Sequence, residues 1–163
     1  PAVRRAITCV ARGISCPRRR GGKLRYPPTG PLRVTDPIAA WHDILDRRNA
    51  SALGNLLADD VTFHSPVVHT PQRGKAVTTM YLTAAFSVFA NETFRYVREV
   101  IGARDAVLEF VTEIDGITVN GVDMIHWNDD GRITDFKVMV RPLKGITVVH
   151  QRMAAMLEAM QRA

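Results

Sequence analysis

The sequence predicts an α+β fold in which helices pack on one face of a strongly curved antiparallel sheet. Two observations carry that expectation, and a third points to the site. Helical stretches and one strand come first, a further helix follows, and four strand-like stretches then run in succession, which is not the alternation of βαβ units. Turn chemistry separates those four strands: Gly102-Ala103-Arg104-Asp105, Asp115-Gly116 and Asp129-Asp130-Gly131, which favours antiparallel neighbours. Finally, one carboxylate, Asp123, stands inside an apolar strand among Val122, Met124, Ile125 and Trp127. A buried charge costs free energy unless it is paired or neutralised, so Asp123 is either well satisfied or kept for chemistry.

Each element has a local reason. Asp36 can cap a helix and Pro37 suits its first position; Ile38, Trp41, Ile44 and Leu45 then follow at helical spacing. A shorter helical piece is expected over Ala50–Ala58, carrying Leu53, Leu56 and Leu57, with Asp59-Asp60 breaking it. Val61–Ser65 reads as a strand stopped by Pro66, and Val67–Gly74 as a loop. Lys75–Phe89 is helical, with Val77, Tyr81, Ala84, Ala85 and Val88 on one face. The four strands are Thr93–Ile101, Ala106–Ile114, Ile117–Asn128 and Arg132–Arg141, and Asn120-Gly121 predicts a bulge or bend in the third. Pro142 ends the last strand. A final helix spans roughly Lys144–Arg162, with Ile146, Val149, Met153, Met156, Leu157 and Met160 as its apolar stripe. A curved sheet wrapped round helices leaves a cavity at one end.

Charge divides the chain. Of its 163 residues, the first 35 hold nine of the 22 Lys/Arg and no acid; residues 36–163 therefore carry 13 basic against 16 acidic residues, a net of −3. The excess positive charge belongs to the leading segment, so the domain itself is not expected to bind nucleic acid. Residues 1–35 are Arg-, Gly- and Pro-rich, and cannot bury a core. A disordered basic arm without function is the favoured expectation; an organellar presequence and translation from an upstream start are the alternatives. Contact of Arg18-Arg19-Arg20 with RNA or an acidic surface is a further option. Both cysteines, Cys9 and Cys16, lie there too, without zinc spacing. A cysteine-free domain fits a reducing, cytoplasmic compartment, and no apolar run is long enough to span a membrane.

Strand alternation puts Asp123, Ile125 and Trp127 on one face, with Val122, Met124, His126 and Asn128 on the other. Desolvation on the apolar face raises the Asp123 pKa. It then serves as a general acid or ligand-orienting donor, or it is a structural Asp bonded to backbone or to Trp41. His64 and Ser65 are adjacent on a strand and point opposite ways. Ser65 shares the cavity face with Phe63, and His69 sits in the loop at the expected mouth, as base, gate or plain solvated histidine. His64, His69, His126 and Asp123 match no zinc spacing, so no metal is expected. Leu108, Phe110, Thr112 and Ile114 face the helices. Glu109 and Glu113, with Val107, Val111, Lys137 and Met139, form an outer face suited either to a dimer contact or to solvent.

Leu57-Ala58-Asp59-Asp60-Val61-Thr62-Phe63-His64-Ser65-Pro66, Gly74 before the third helix, and Asp123 with the Trp127-Asn128-Asp129-Asp130-Gly131-Arg132-Ile133 hairpin together resemble the nuclear-transport-factor-2-like superfamily, within it the SnoaL-like and ketosteroid-isomerase-like proteins. The resemblance covers about residues 36–142. It implies a cone-shaped barrel, a curved antiparallel sheet wrapped around N-terminal helices, here with an extra C-terminal helix, and it favours a homodimer. The superfamily holds enzymes and non-enzymes, so fold alone names no reaction. In isomerase-like members the residue before the first-strand Pro is the carboxylate base; here it is Ser65. The first-helix tyrosine of the oxyanion site falls at Trp41, which donates but cannot accept. The strand carboxyl that stays protonated as a second donor matches Asp123. One of three isomerase positions thus survives. The Asp-Arg-Asp arrangement of epoxide-hydrolase members is not met, because Val107–Glu113 has no Arg.

The resulting expectation is a protein with a pocket for a small apolar, carbonyl-bearing ligand, needing no metal or organic cofactor. As an isomerase, cyclase or lyase it would use Asp123 as acid or donor. Trp41, Ser65 and His69 would stand at the ligand, with Phe63, Tyr81, Phe110, Ile125, Trp127 and Phe136 as walls. The alternative is a non-catalytic dimeric ligand-binding or interaction module.

Overall fold

The computed structural model describes residues 36–162; expectations for residues 1–35 lie outside them. Helix α1 (Pro37–Asp46) starts where the cap signal places it, with Asp36 Oδ1 accepting from the backbone N–H of Ile38 and Ala39 at 3.0 and 3.1 Å. Such a cap stabilises a helix by about 1 kcal/mol. The helix buries Ile38, Trp41 and Ile44 against the sheet.

The next segment differs from expectation. After a 3-10 turn (Ala50–Ala52), α2 covers only Leu53–Leu56, and strand β1 runs from Leu57 to His64. Leu57 is already extended (φ −87, ψ 141), fully buried, and pairs with Ile133. Asp59 and Asp60 do not end an element. They lie exposed within β1, where its register against the last strand shifts between Leu57 and Thr62, so both carboxylates stay in water. The expected loop 67–74 holds a two-residue strand, β2 (Gln72–Arg73), antiparallel to β1.

Helix α3 (Lys75–Phe89) is followed by β3 (Arg95–Ile101), β4 (Asp105–Ile114), β5 (Ile117–Trp127) and β6 (Ile133–Arg141), and α4 (Leu143–Arg162) ends the described chain. Asp115 and Gly116 turn β4 into β5 with φ of 52 and 73, the paired left-handed conformation of a two-residue hairpin. The strand order is β2-β1-β6-β5-β4-β3. The expected all-antiparallel sheet is in fact mixed and open. Hairpins fix β3 to β6 as antiparallel neighbours, but β1 and β6 are not consecutive, and they pair in parallel.

Gly121 makes no bulge. Its ladder with β4 is continuous from Asp105 to Ile117, and the β5–β6 irregularity falls at His126/Trp127. Glycine is needed there for close approach: a Cβ would sit 2.2 Å from Phe110 Cζ and 2.9 Å from the Met139 carbonyl oxygen.

Two apolar clusters follow. The larger joins α1, α2, α3, β1 and β4–β6 around Trp41, Phe63, Leu108 and Phe136. The smaller joins α3 and α4 through Ala84, Val119, Val148, Val149 and Met153. Each such side chain contributes roughly 1.5–3 kcal/mol on burial. The expected α4 stripe is buried only toward the helix's beginning; Met160 at its end is exposed. Among the described residues no helix is long and apolar enough to cross a membrane.

Candidate functional site

A cavity of about 50 Å³ lies between α1, α3 and the sheet. Trp41 and Leu45 of α1 line it, with Leu82, Ala85, Phe86 and Phe89 of α3. Phe94, Phe110, Phe136 and Val138 form the facing wall, together with Tyr96 and Asp123. The polar groups here belong to Trp41, Tyr96 and Asp123, and they form one chain. Trp41 Nε1 donates to Tyr96 Oη at 2.8 Å, and Tyr96 Oη donates to Asp123 Oδ2 at 2.7 Å. Trp41 is held by Phe136 at 5.0 Å and by an edge contact to Phe86 at 5.8 Å.

Asp123 reaches this position by strand alternation. It sits between Leu108 of β4 and Val138 of β6 and is 6% exposed. Its carboxyl has one hydrogen-bonding partner among the described side chains, Tyr96. Burial pushes its pKa up to about 7, and the Tyr96 bond pulls the other way. The carboxyl is therefore neutral in mildly acidic solution and charged in mildly basic solution. Tyr96 is pushed well above the usual tyrosine range, first by burial and then by the neighbouring Asp123 carboxylate, so it stays a neutral donor.

Tyr96 reaches the site through an irregularity. It faces Phe110 across the β3–β4 ladder, while Arg98 faces Glu109, leaving Val97 unmatched between them. This bulge puts Tyr96 and Glu99 on the helix-covered face and keeps Arg98 outside, 3.4 Å from Glu109. His42 of α1 packs edge-on to Tyr96 at 5.3 Å and pairs with Glu99 at 3.4 Å. An open groove of about 410 Å³ adjoins the cavity, sharing Leu45, Ala90, Phe94 and Tyr96 with it. Its other walls are polar: His42, Asp46, Arg48, Asn91, Glu92 and Arg95.

Of the residues expected at the site, Trp41, Phe110, Asp123 and Phe136 come together at this cavity. Among the described residues Asp123 is bonded neither to Trp41 nor to the backbone; Tyr96 stands between it and Trp41. Phe63 and Tyr81 pack on each other at 5.8 Å, with Phe63 6.2 Å from Phe136, one layer behind the cavity wall. Ile125 and Trp127 share the face of Asp123 but are packed in the larger core cluster, 2% and 5% exposed. Ser65 follows the end of β1, and its Oγ accepts the Val67 N–H at 3.3 Å. His69 is exposed in the loop. Tyr96 and Phe94 were not expected there. Their one signal is the Phe94-x-Tyr96 alternation, which Arg98 obscures two residues on.

The chain belongs to the SnoaL-like domain family, whose model matches residues 38–136. It is similar to a steroid Δ-isomerase from Pseudomonas aeruginosa: 40% identity, TM-score 0.74, covering 78% of this chain and 93% of that one. It is also similar to an uncharacterised bacterial protein of cystatin-like fold from Silicibacter pomeroyi DSS-3: 30% identity, TM-score 0.69, covering 76% and 87%. An epoxide hydrolase/cyclase-like enzyme of pyran ring formation in the polyether salinomycin shares the fold, at 16% identity and TM-score 0.53, over 64% and 88%. No curated protein matches the chain.

Proposed function

We propose that this protein is an acid/base enzyme for a small carbonyl-bearing compound, with Asp123 moving the proton. One observation carries the reading: the carboxylate of the cavity is buried among apolar walls, and its pKa, about 7, lies near neutrality. A general acid/base works best when its pKa is close to the working pH, and perturbed groups in clefts are enriched at functional sites. Asp123 takes a proton from carbon next to the carbonyl and returns it elsewhere on the same molecule, as an isomerase or cyclase requires. The name of the Pseudomonas relative supports isomerase chemistry. Ser65, standing where the isomerase-like pattern has its base, leaves both halves of the transfer to Asp123.

Size shapes the substrate. Drug-sized ligands fill roughly 300–1,000 Å³, far more than the cavity's 50 Å³. A compact apolar head bearing the carbonyl enters the cavity, and the rest lies in the adjoining polar groove. The test is exchange of carbon-bound hydrogen for deuterium in a panel of small apolar ketones incubated in D2O, followed by NMR. The parent protein is expected to exceed Asp123→Asn by ~10²–10⁴-fold, with a rate that rises through pH 7. A ketone that binds but exchanges equally with both proteins would sink the reading.

The outer sheet face supports a second proposal, a homodimer. Val107, Met124 and Met139 are 38%, 39% and 57% exposed on it, beside the Arg98–Glu109 pair. Met139→Lys is expected to move the protein from dimer to monomer in sedimentation velocity at micromolar concentration. A parent that is already monomeric there would refute the interface.

A further inference from the structure

We propose that Trp41 and Tyr96 are positioning residues which confine the acid/base work of Asp123 to one oxygen, Oδ1; the proposal rests on the acid/base reading above. The argument is one of donors and acceptors. An indole N–H can only donate. Trp41 Nε1 fills one side of the Tyr96 oxygen at 2.8 Å, so the tyrosine proton cannot turn that way without setting donor against donor. It is left pointing at Asp123 Oδ2, 2.7 Å away. Were a protonated Oδ2 to donate to Tyr96 instead, the tyrosine proton would have to swing toward the Trp41 N–H and set donor against donor. Oδ2 is thus an acceptor in both protonation states.

The proton of neutral Asp123 consequently sits on Oδ1. That oxygen has no hydrogen-bonding side chain among the described residues, and Asp123 lines the cavity. The acid therefore offers its proton to a bound molecule and not to the protein. Of the other titratable neighbours, His42 of α1 packs on Tyr96 and Glu99 of β3 pairs with His42; neither makes a hydrogen bond to Asp123 among the described residues. A tryptophan in place of a hydroxyl-bearing residue at position 41 is what gives the chain its direction: a hydroxyl there could accept from Tyr96 and release it.

The test reads the carboxyl itself and needs no substrate, so its failure is distinct from failure of the exchange assay. Infrared difference spectra across pH 5–9, with Asp123→Asn used to assign the band, report the C=O stretch of neutral Asp123. Carboxyl ¹³C NMR gives its titration. The parent is expected to show a single band, lowered by the Tyr96 bond and shifted up in Tyr96→Phe. In Trp41→Phe the tyrosine can turn, so a second, higher band is expected, with a rise in the Asp123 midpoint of roughly half a pH unit to one, the size of one hydrogen bond. In the Tyr96→Phe background the Trp41→Phe change should move the midpoint no further. Two bands in the parent would overturn the proposal even if Trp41→Phe does not fold. So would a Trp41→Phe midpoint that is unchanged, or one that moves equally without Tyr96, since the indole would then act through packing alone.

Discussion

Asp123→Asn is expected to stabilise the protein at pH 8 while removing the proton donor from its cavity. The sign follows from linkage. Asp123 has its pKa raised from 3.8 to about 7 in the folded chain. Below pH 3.8 the carboxyl is neutral in both states and costs nothing. Between pH 4 and 7 it ionises in the unfolded chain and stays protonated in the folded one, so the folded state loses stability as pH rises; above 7 the loss is complete. The 3.8-to-7 interval corresponds to ~4 kcal/mol. Asparagine does not titrate and escapes that loss. It leaves an amide donor against an apolar wall, which costs about 1–3 kcal/mol. The net expectation is a variant at or below parental stability at pH 4 and above it by ~1–3 kcal/mol at pH 8. Urea unfolding of both proteins at several pH values measures the difference. A difference that stays flat from pH 4 to 8 would mean that Asp123 is ionised throughout, and would remove the physical basis of the proposed chemistry.

Gly121→Ala is expected to be the most damaging single methyl in the sheet. The added Cβ would meet Phe110 Cζ at 2.2 Å and the Met139 carbonyl oxygen at 2.9 Å. The ring could rotate away, but the carbonyl belongs to the neighbouring strand and can yield only if β5 and β6 part. Overpacking of this kind costs ~1–3 kcal/mol, and the upper end applies where backbone is struck. Phe110 lines the cavity and packs against Phe89 and Phe94, at 5.6 and 5.4 Å, so its displacement alters the binding space as well. Phe110→Leu in the same chain should recover part of the loss, because contacting residues are not additive. Thermal unfolding of the two single variants and the double variant gives the coupling. A cost under ~1 kcal/mol for Gly121→Ala would show that the strands give way easily there.

How much was legible in the sequence depended on whether a feature is local. Asp36-Pro37 announces α1, and Asp115-Gly116 announces a hairpin, because a cap and a two-residue turn are decided by a few neighbouring residues. The inward aim of Asp123 was equally legible, since its face-mates Ile125 and Trp127 leave little doubt about the buried side of β5. The start of β1 was not legible. Leu53, Leu56 and Leu57 read as one helical stripe, and only the pairing of Leu57 with Ile133, 76 positions away, makes an extended chain the better state. The parallel sense of β1 and β6 is tertiary in the same way. Tyr96 was hidden because alternation from Phe94 leads to Arg98, which no apolar face would accept, and the bulge that resolves the conflict has no local signature.

That bulge bears on how relatives are compared. Val97 amounts to an insertion that the edge of the sheet has absorbed. A chain lacking it would form an unbroken ladder, with its counterparts of Tyr96 and Glu99 still opposite Phe110 and Leu108. Residue counting along β3 would then place two such chains out of step by one beyond Tyr96, although their side chains occupied the same points in space. Homology at this edge is therefore positional in three dimensions before it is positional along the chain, and a matching tyrosine is to be sought by the strand partner it faces.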